Sequence, residues 1–101
     1  MYRHIRDRYE TRARIARALG HASRLFIIEA LSEKNRCVQE LAEKIGADIS
    51  TVSRHLSLLK AAGLVDFEKS GPQACYRLAT EEVLNLLHCL KKCCGQIDCG
   101  R

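Results

Sequence analysis

No stretch of about eighteen apolar residues occurs in this chain, so no part of it is built to cross a bilayer as a helix. The arginine-studded start lacks the apolar run and small-residue cleavage site of a secretory signal, which points to the cytoplasm. There is no glycine-rich phosphate loop, no nucleophile set beside a base, and no Cys/His spacing that would leave a metal open for catalysis, so an enzyme is not expected. Negative charge is also scarce. Against 17 Lys and Arg stand 12 Asp and Glu, and the formal charge of +5 favours a polyanionic partner.

What is present is one domain: residues 1–101 with a hydrophobic fraction of 47%, enough for a core. So small a chain buries a modest share of its surface, and an apolar helix face left over from the core implies a second copy. Six cysteines in a reducing compartment read as metal ligands or redox sensors rather than as a disulfide frame. Four of them, Cys89, Cys93, Cys94 and Cys99, fall in the last thirteen residues.

Periodicity divides the chain into five helical segments and one hairpin. Over residues 3–19, Ile5, Tyr9, Ala16 and Leu19 recur at roughly helical spacing, six arginines form a solvated face partly offset by Asp7 and Glu10, and Gly20 is a stop. A second helix over about residues 23–33 puts Leu25, Ile28 and Leu31 on one side, with Ile27 and Ala30 widening the stripe. Val38, Leu41, Ala42 and Ile45 then fit the i, i+3, i+4, i+7 pattern, and Gly46 suits a left-handed helix end. Ser50 can cap a fourth helix whose Val52, Leu56 and Leu59 face inward before Gly63 ends it. Short helix, glycine-containing turn and longer helix make a helix-turn-helix.

Ser50, Thr51, Ser53, Arg54 and His55 crowd the start of the longer helix, where base edges are met and where backbone N–H groups receive a phosphate. Arginine reads guanine with two hydrogen bonds, and short hydroxyls hold phosphate without bulk. As plain caps and solvated polar groups the same residues would carry no such meaning. Val65 and Phe67, the turn Ser70-Gly71-Pro72-Gln73, and Ala74, Tyr76 and Leu78 then alternate as a two-stranded hairpin. Behind a helix-turn-helix this is a wing, with Lys69, Gln73 and Arg77 placed against sugar-phosphate. The predicted fold is mainly α: a winged helix-turn-helix of five helices and two strands.

The strings ALGHASRLFIIEAL, CVQELAEKIGADISTVSRHLSLLKAAGLV and GPQACYRL resemble the arsenic-repressor (ArsR/SmtB) family of winged-helix regulators over roughly residues 16–79, with STVSRHLSLLKAAGLV the most distinctive part. The resemblance implies a bacterial or archaeal repressor, homodimeric through its first and last helices, that leaves its operator DNA when an inducer binds. It also implies that Ser50, Thr51, Ser53, Arg54 and His55 sit in the major groove, with Lys60 and the wing near phosphates.

Sensing sites vary within that family. The arsenic- and cadmium-type site resembles Cys-Val-Cys before an acidic-Leu pair, but here Cys37-Val38-Gln39-Glu40-Leu41 has glutamine in place of the second thiol. Cys37 then reads as a small core residue unless a remote cysteine joins it. The zinc-type site on the last helix needs Asp, His and Glu, of which only His88 is nearby.

The last segment begins at Thr80 as a cap, with Glu81 and Glu82 at its positive end and Lys91 and Lys92 at its negative end. Val83, Leu84, Leu86, Leu87 and Leu90 cover more than one face, enough for both the core and a partner subunit. Cys93 and Cys94 fall in its final turn, where adjacent side chains diverge by about 100°, so both reach one ion only if the end unwinds. Gly95 permits that, and Cys99 lies close enough in sequence to fold back. Arsenite, or antimonite, takes three thiolates in a pyramid, which suits Cys93, Cys94 and Cys99 in a tail of about residues 89–99. Cys89, one turn before Cys93, would pack at the dimer seam or complete a four-thiolate site for zinc or cadmium. Cys75 looks incidental. The same thiols also suit a redox or persulfide sensor, and a winged-helix protein-interaction module with structural zinc is the reading from another class.

Overall fold

The computed structural model describes residues 2–96. Helix α1, Tyr2–Leu19, turns only its end inward: Ala18 and Leu19 are buried, while Ile5 and Tyr9 remain exposed. Helix α2, Ala22–Glu33, is opened by His21, whose ring accepts from the Ser23 N–H at 3.1 Å. Its Ile27, Ile28, Ala30 and Leu31 are buried on an arc wide enough to touch α1, α4 and α5 at once.

Helix α3, Val38–Ile45, ends where the periodicity and Gly46 say it should: Gly46 has φ +80° and its N–H donates to the Ala42 carbonyl at 2.9 Å. That left-handed residue turns the chain quickly into α4, Ile49–Ala61, whose Val52, Leu56 and Leu59 are fully buried. The cap of α4 is Asp48 and not Ser50, which lies inside the helix. The Asp48 carboxylate accepts from the Thr51 N–H at 3.0 Å, a better match than a hydroxyl for the positive helix end.

The hairpin consists of β2, Val65–Ser70, and β3, Gln73–Leu78, closed by Gly71 at φ +66° and Pro72. Glycine followed by proline is the pattern of a two-residue turn that needs positive φ at its first central position alone. Phe67 and Tyr76 oppose each other in the ladder and meet edge to face, centroids 5.4 Å apart. The sheet has three strands rather than the expected two. A short β1, Arg36–Cys37, pairs antiparallel with β3, giving the order β1-β3-β2 and the cross-strand pairs Arg36↔Tyr76 and Cys37↔Cys75. Two residues leave no periodicity to read; β1 exists because β3 runs beside it.

Arg36 is itself buried, 7% exposed. Its guanidinium donates to the Ala30 carbonyl at 3.1 Å, to Glu40 at 2.6 Å and to Glu33, so one side chain joins the end of α2 to the start of α3.

Helix α5, Glu82–Gln96, starts with the Glu82 N–H donating to the Thr80 hydroxyl at 3.1 Å and buries Val83 and Leu87 against the core. It continues through Gly95, so Lys91 falls short of the last turn and reaches back to Glu29 on α2 at 2.9 Å. Among the described residues no helix is long and apolar enough to cross a membrane.

Candidate nucleic-acid interface and thiol groups

The start of α4 and the tip of the hairpin lie side by side: Ile49, Pro72, Gln73 and Ala74 border one pocket of about 220 Å³. Along the outer face of α4, Ser50, Arg54 and Lys60 are exposed and Thr51 and Ser53 are half-buried. On the hairpin Lys69, Gln73 and Arg77 are exposed, with Arg77 reaching Asp66 at 3.6 Å. Basic side chains thus lie along α4 and over the hairpin, among the carboxylates of Asp48, Asp66 and Glu68. The Thr51 N–H at the start of α4 is already taken by Asp48, and hydrogen bonding from Thr51, its side chain first and this N–H second, lowers the Asp48 carboxyl from its ordinary pKa.

His55 meets the start of α2. Its ring lies 4.5 Å from that of His21, and its Nδ1 meets an Arg24 guanidinium nitrogen at 3.1 Å. Arg24 also donates to the Ala18 carbonyl at 2.6 Å and the Arg17 carbonyl at 3.3 Å, so it closes the end of α1 while holding His55 of α4. Sequence reading missed this clasp, although a basic residue just after a helix end is a signal for it. Burial first, then the charges of His21, Arg24 and Arg54, lower the His55 pKa from its ordinary 6.5. The folded chain therefore binds fewer protons here than the unfolded chain. Stability present above the unfolded value of 6.5 erodes as the pH falls through the lower folded value. Thermal melts between about pH 7.5 and about pH 5 are expected to show a decline that His55→Gln flattens; an equal decline in both proteins would exclude His55 as its source.

The thiols fall into two groups. Cys89 and Cys93 share one face of α5 and border a groove of about 660 Å³ with Arg12, Ile15, Leu19, Leu86 and Leu90, whereas Cys94 borders a different one with Phe26 and Lys91. The adjacent pair thus diverges as helix geometry requires. Cys99 lies outside the described residues. Far from these, Cys37 and Cys75 sit half-buried in the sheet.

A helix-turn-helix followed by a hairpin whose tip adjoins the second helix is a winged helix-turn-helix domain. Residues 21–66 match the family described as "Bacterial regulatory protein, arsR family". The transcriptional repressor SmtB of Mycobacterium tuberculosis is 37% identical over 82 residues, covering 81% of this chain and 61% of that one. The cadmium resistance regulatory protein CadC of Listeria innocua is 39% identical over 70 residues, covering 68% and 59%. Among solved structures, the homodimeric winged helix-turn-helix DNA-binding domain of a possible ArsR-family regulator from Mycobacterium bovis superimposes with a TM-score of 0.77 at 31% identity, covering 86% of this chain and 81% of that one. The chain spans about three-fifths of the length of the curated relatives SmtB and CadC. It belongs to the ArsR family, and these relatives are regulators rather than enzymes.

Proposed function

We propose that this protein is a cytoplasmic transcriptional repressor that grips operator DNA as a homodimer and releases it when trivalent arsenic, or antimony, binds Cys93, Cys94 and Cys99. The observation that carries the sensing half is the pair Cys93–Cys94, exposed at the end of α5, with Cys93 on the groove that α1 and α5 leave open and Cys94 on its neighbour beside α2. On this reading α1 and α5 supply the dimer seam. The major-groove set is Ser50, Thr51, Ser53 and Arg54, with His55 steadying the helix from behind, and Lys60, Lys69, Gln73 and Arg77 hold phosphates.

Adjacent thiols on a helix diverge, so a pyramidal metalloid collects them by unwinding the last turn of α5. That strain is relieved by shifting the two last helices against each other, which moves the two α4 helices off the spacing of the operator half-sites. A coupling of about 1 to 3 kcal/mol between inducer and DNA suffices. Cys89 with Cys93, on one face, supports a second reading in which zinc or cadmium is the inducer, in keeping with a relative named for cadmium resistance.

The test is a mobility-shift titration of the reduced protein on its own promoter. Arsenite is expected to release the DNA, and the triple replacement of Cys93, Cys94 and Cys99 by serine is expected to hold it at the same arsenite concentration. Arsenite without effect on the unsubstituted protein, with zinc or cadmium effective, would transfer the role to the second reading.

A further inference from the structure

At the first turn of α4 one residue is out of character with its neighbours. Asp48, Ser50, Thr51, Ser53 and Arg54 are polar, yet Ile49, set between the first two, is 50% exposed. A single apolar side chain in water is ordinary on a protein surface; the place of this one is what gives it meaning. Ile49 opens α4 and, with Val38, Pro72 and Ala74, lines the notch of about 220 Å³ between the start of that helix and the hairpin tip.

We infer that Ile49 is a specificity-determining residue for DNA, one that reads the 5-methyl group of a thymine in the major groove. This rests on the reading of α4 as the helix that enters that groove. Residues at the start of such a helix meet base edges. Among the groups that base edges present there, the apolar one is the thymine methyl, so an aliphatic tip with no donor or acceptor favours thymine.

Phosphate offers such a side chain nothing. The helix end beside it is also partly closed to phosphate, because the Thr51 N–H is held by the Asp48 carboxylate at 3.0 Å. That negative group stands at the residue before Ile49, so the first turn of α4 favours contact with bases over contact with the backbone. The branched side chain has little freedom to lose on binding, since in a helix it keeps essentially one χ1 rotamer. The rival for the same contact is Thr51, which also carries a methyl but is half-buried.

The test uses the reduced full chain and its own promoter. Footprinting defines the protected half-sites, and each thymine in them is then replaced in turn by deoxyuridine, which removes the 5-methyl and keeps the base pair. One thymine per half-site is expected to matter. Its replacement is expected to weaken binding about fourfold, the worth of one buried methyl, and replacement in both half-sites of the dimer about fifteenfold. Ile49→Ala is expected to bind thymine and uracil duplexes alike, at or below the affinity of the unsubstituted protein for uracil. Ile49→Val is expected to keep most of the discrimination. Both variants are expected to melt as their parent does, because the side chain is half in water.

The inference is overturned if no thymine shows the effect or if Ile49→Ala discriminates as well as its parent. Loss of discrimination in Thr51→Ser instead would assign the methyl to Thr51. A promoter without a protected site would overturn the reading of α4 as a DNA-binding helix as well, whereas a protected site indifferent to uracil overturns this inference alone.

Discussion

Replacing Arg36 with alanine is expected to destabilise the domain by about 2 to 3 kcal/mol and to lower its melting temperature by roughly 10 to 20 °C. Arg36 is 7% exposed, and its guanidinium meets Ala30, Glu33 and Glu40 at once. Truncation leaves a cavity where its stem packed and removes the donor from a backbone carbonyl. The loss stays below that of a fully buried ion pair, because the Glu33 and Glu40 side chains are 71% and 36% exposed and can take up water. Arg36→Met is expected to recover the packing part and not the polar part. Melts of the three proteins read this directly; a change under about 0.5 kcal/mol for the alanine variant would mean that Arg36 behaves as an ordinary surface charge.

The second large effect concerns assembly. Leu86 and Leu90 are 49% and 46% exposed on α5 and border the long groove toward α1. Covering each is worth about 1 kcal/mol, and the two-fold repeat of both leucines makes about 4 kcal/mol, or roughly three orders of magnitude in dimer affinity. Leu86→Glu with Leu90→Glu also plants charge in that seam. Light scattering is expected to fall from dimer to monomer mass while circular dichroism keeps its helical signal, and operator affinity is expected to drop by at least about a hundredfold as the linked half-sites are lost. A monomer mass for the unsubstituted protein would remove the basis for this expectation.

The helix-turn-helix was readable from the chain because its determinants are local. Val38, Leu41, Ala42 and Ile45 mark one face, and Gly46 marks the end with the conformation that glycine adopts most readily. What escaped depends on chain passing elsewhere. Strand β1 is too short to announce itself and takes its form from β3. Arg24 and Arg36 look like surface charges until α1, α2 and α3 bring carbonyls and carboxylates around them. The cap falls on Asp48 rather than on Ser50 because either residue type serves, and the start of a helix is set by its entry angle as well as by its composition. Cys75 found its cross-strand neighbour only when the ladder register set it against Cys37. Periodicity is blind to contacts of that range.

The Arg24 clasp bears on how news would travel inside the molecule. One flat, rigid group is bolted to the trailing carbonyls of α1 on one side and to the imidazole of α4 on the other. A nudge to the first helix is therefore expected to arrive at α4, the helix proposed to read DNA, as a tug rather than being lost in soft packing.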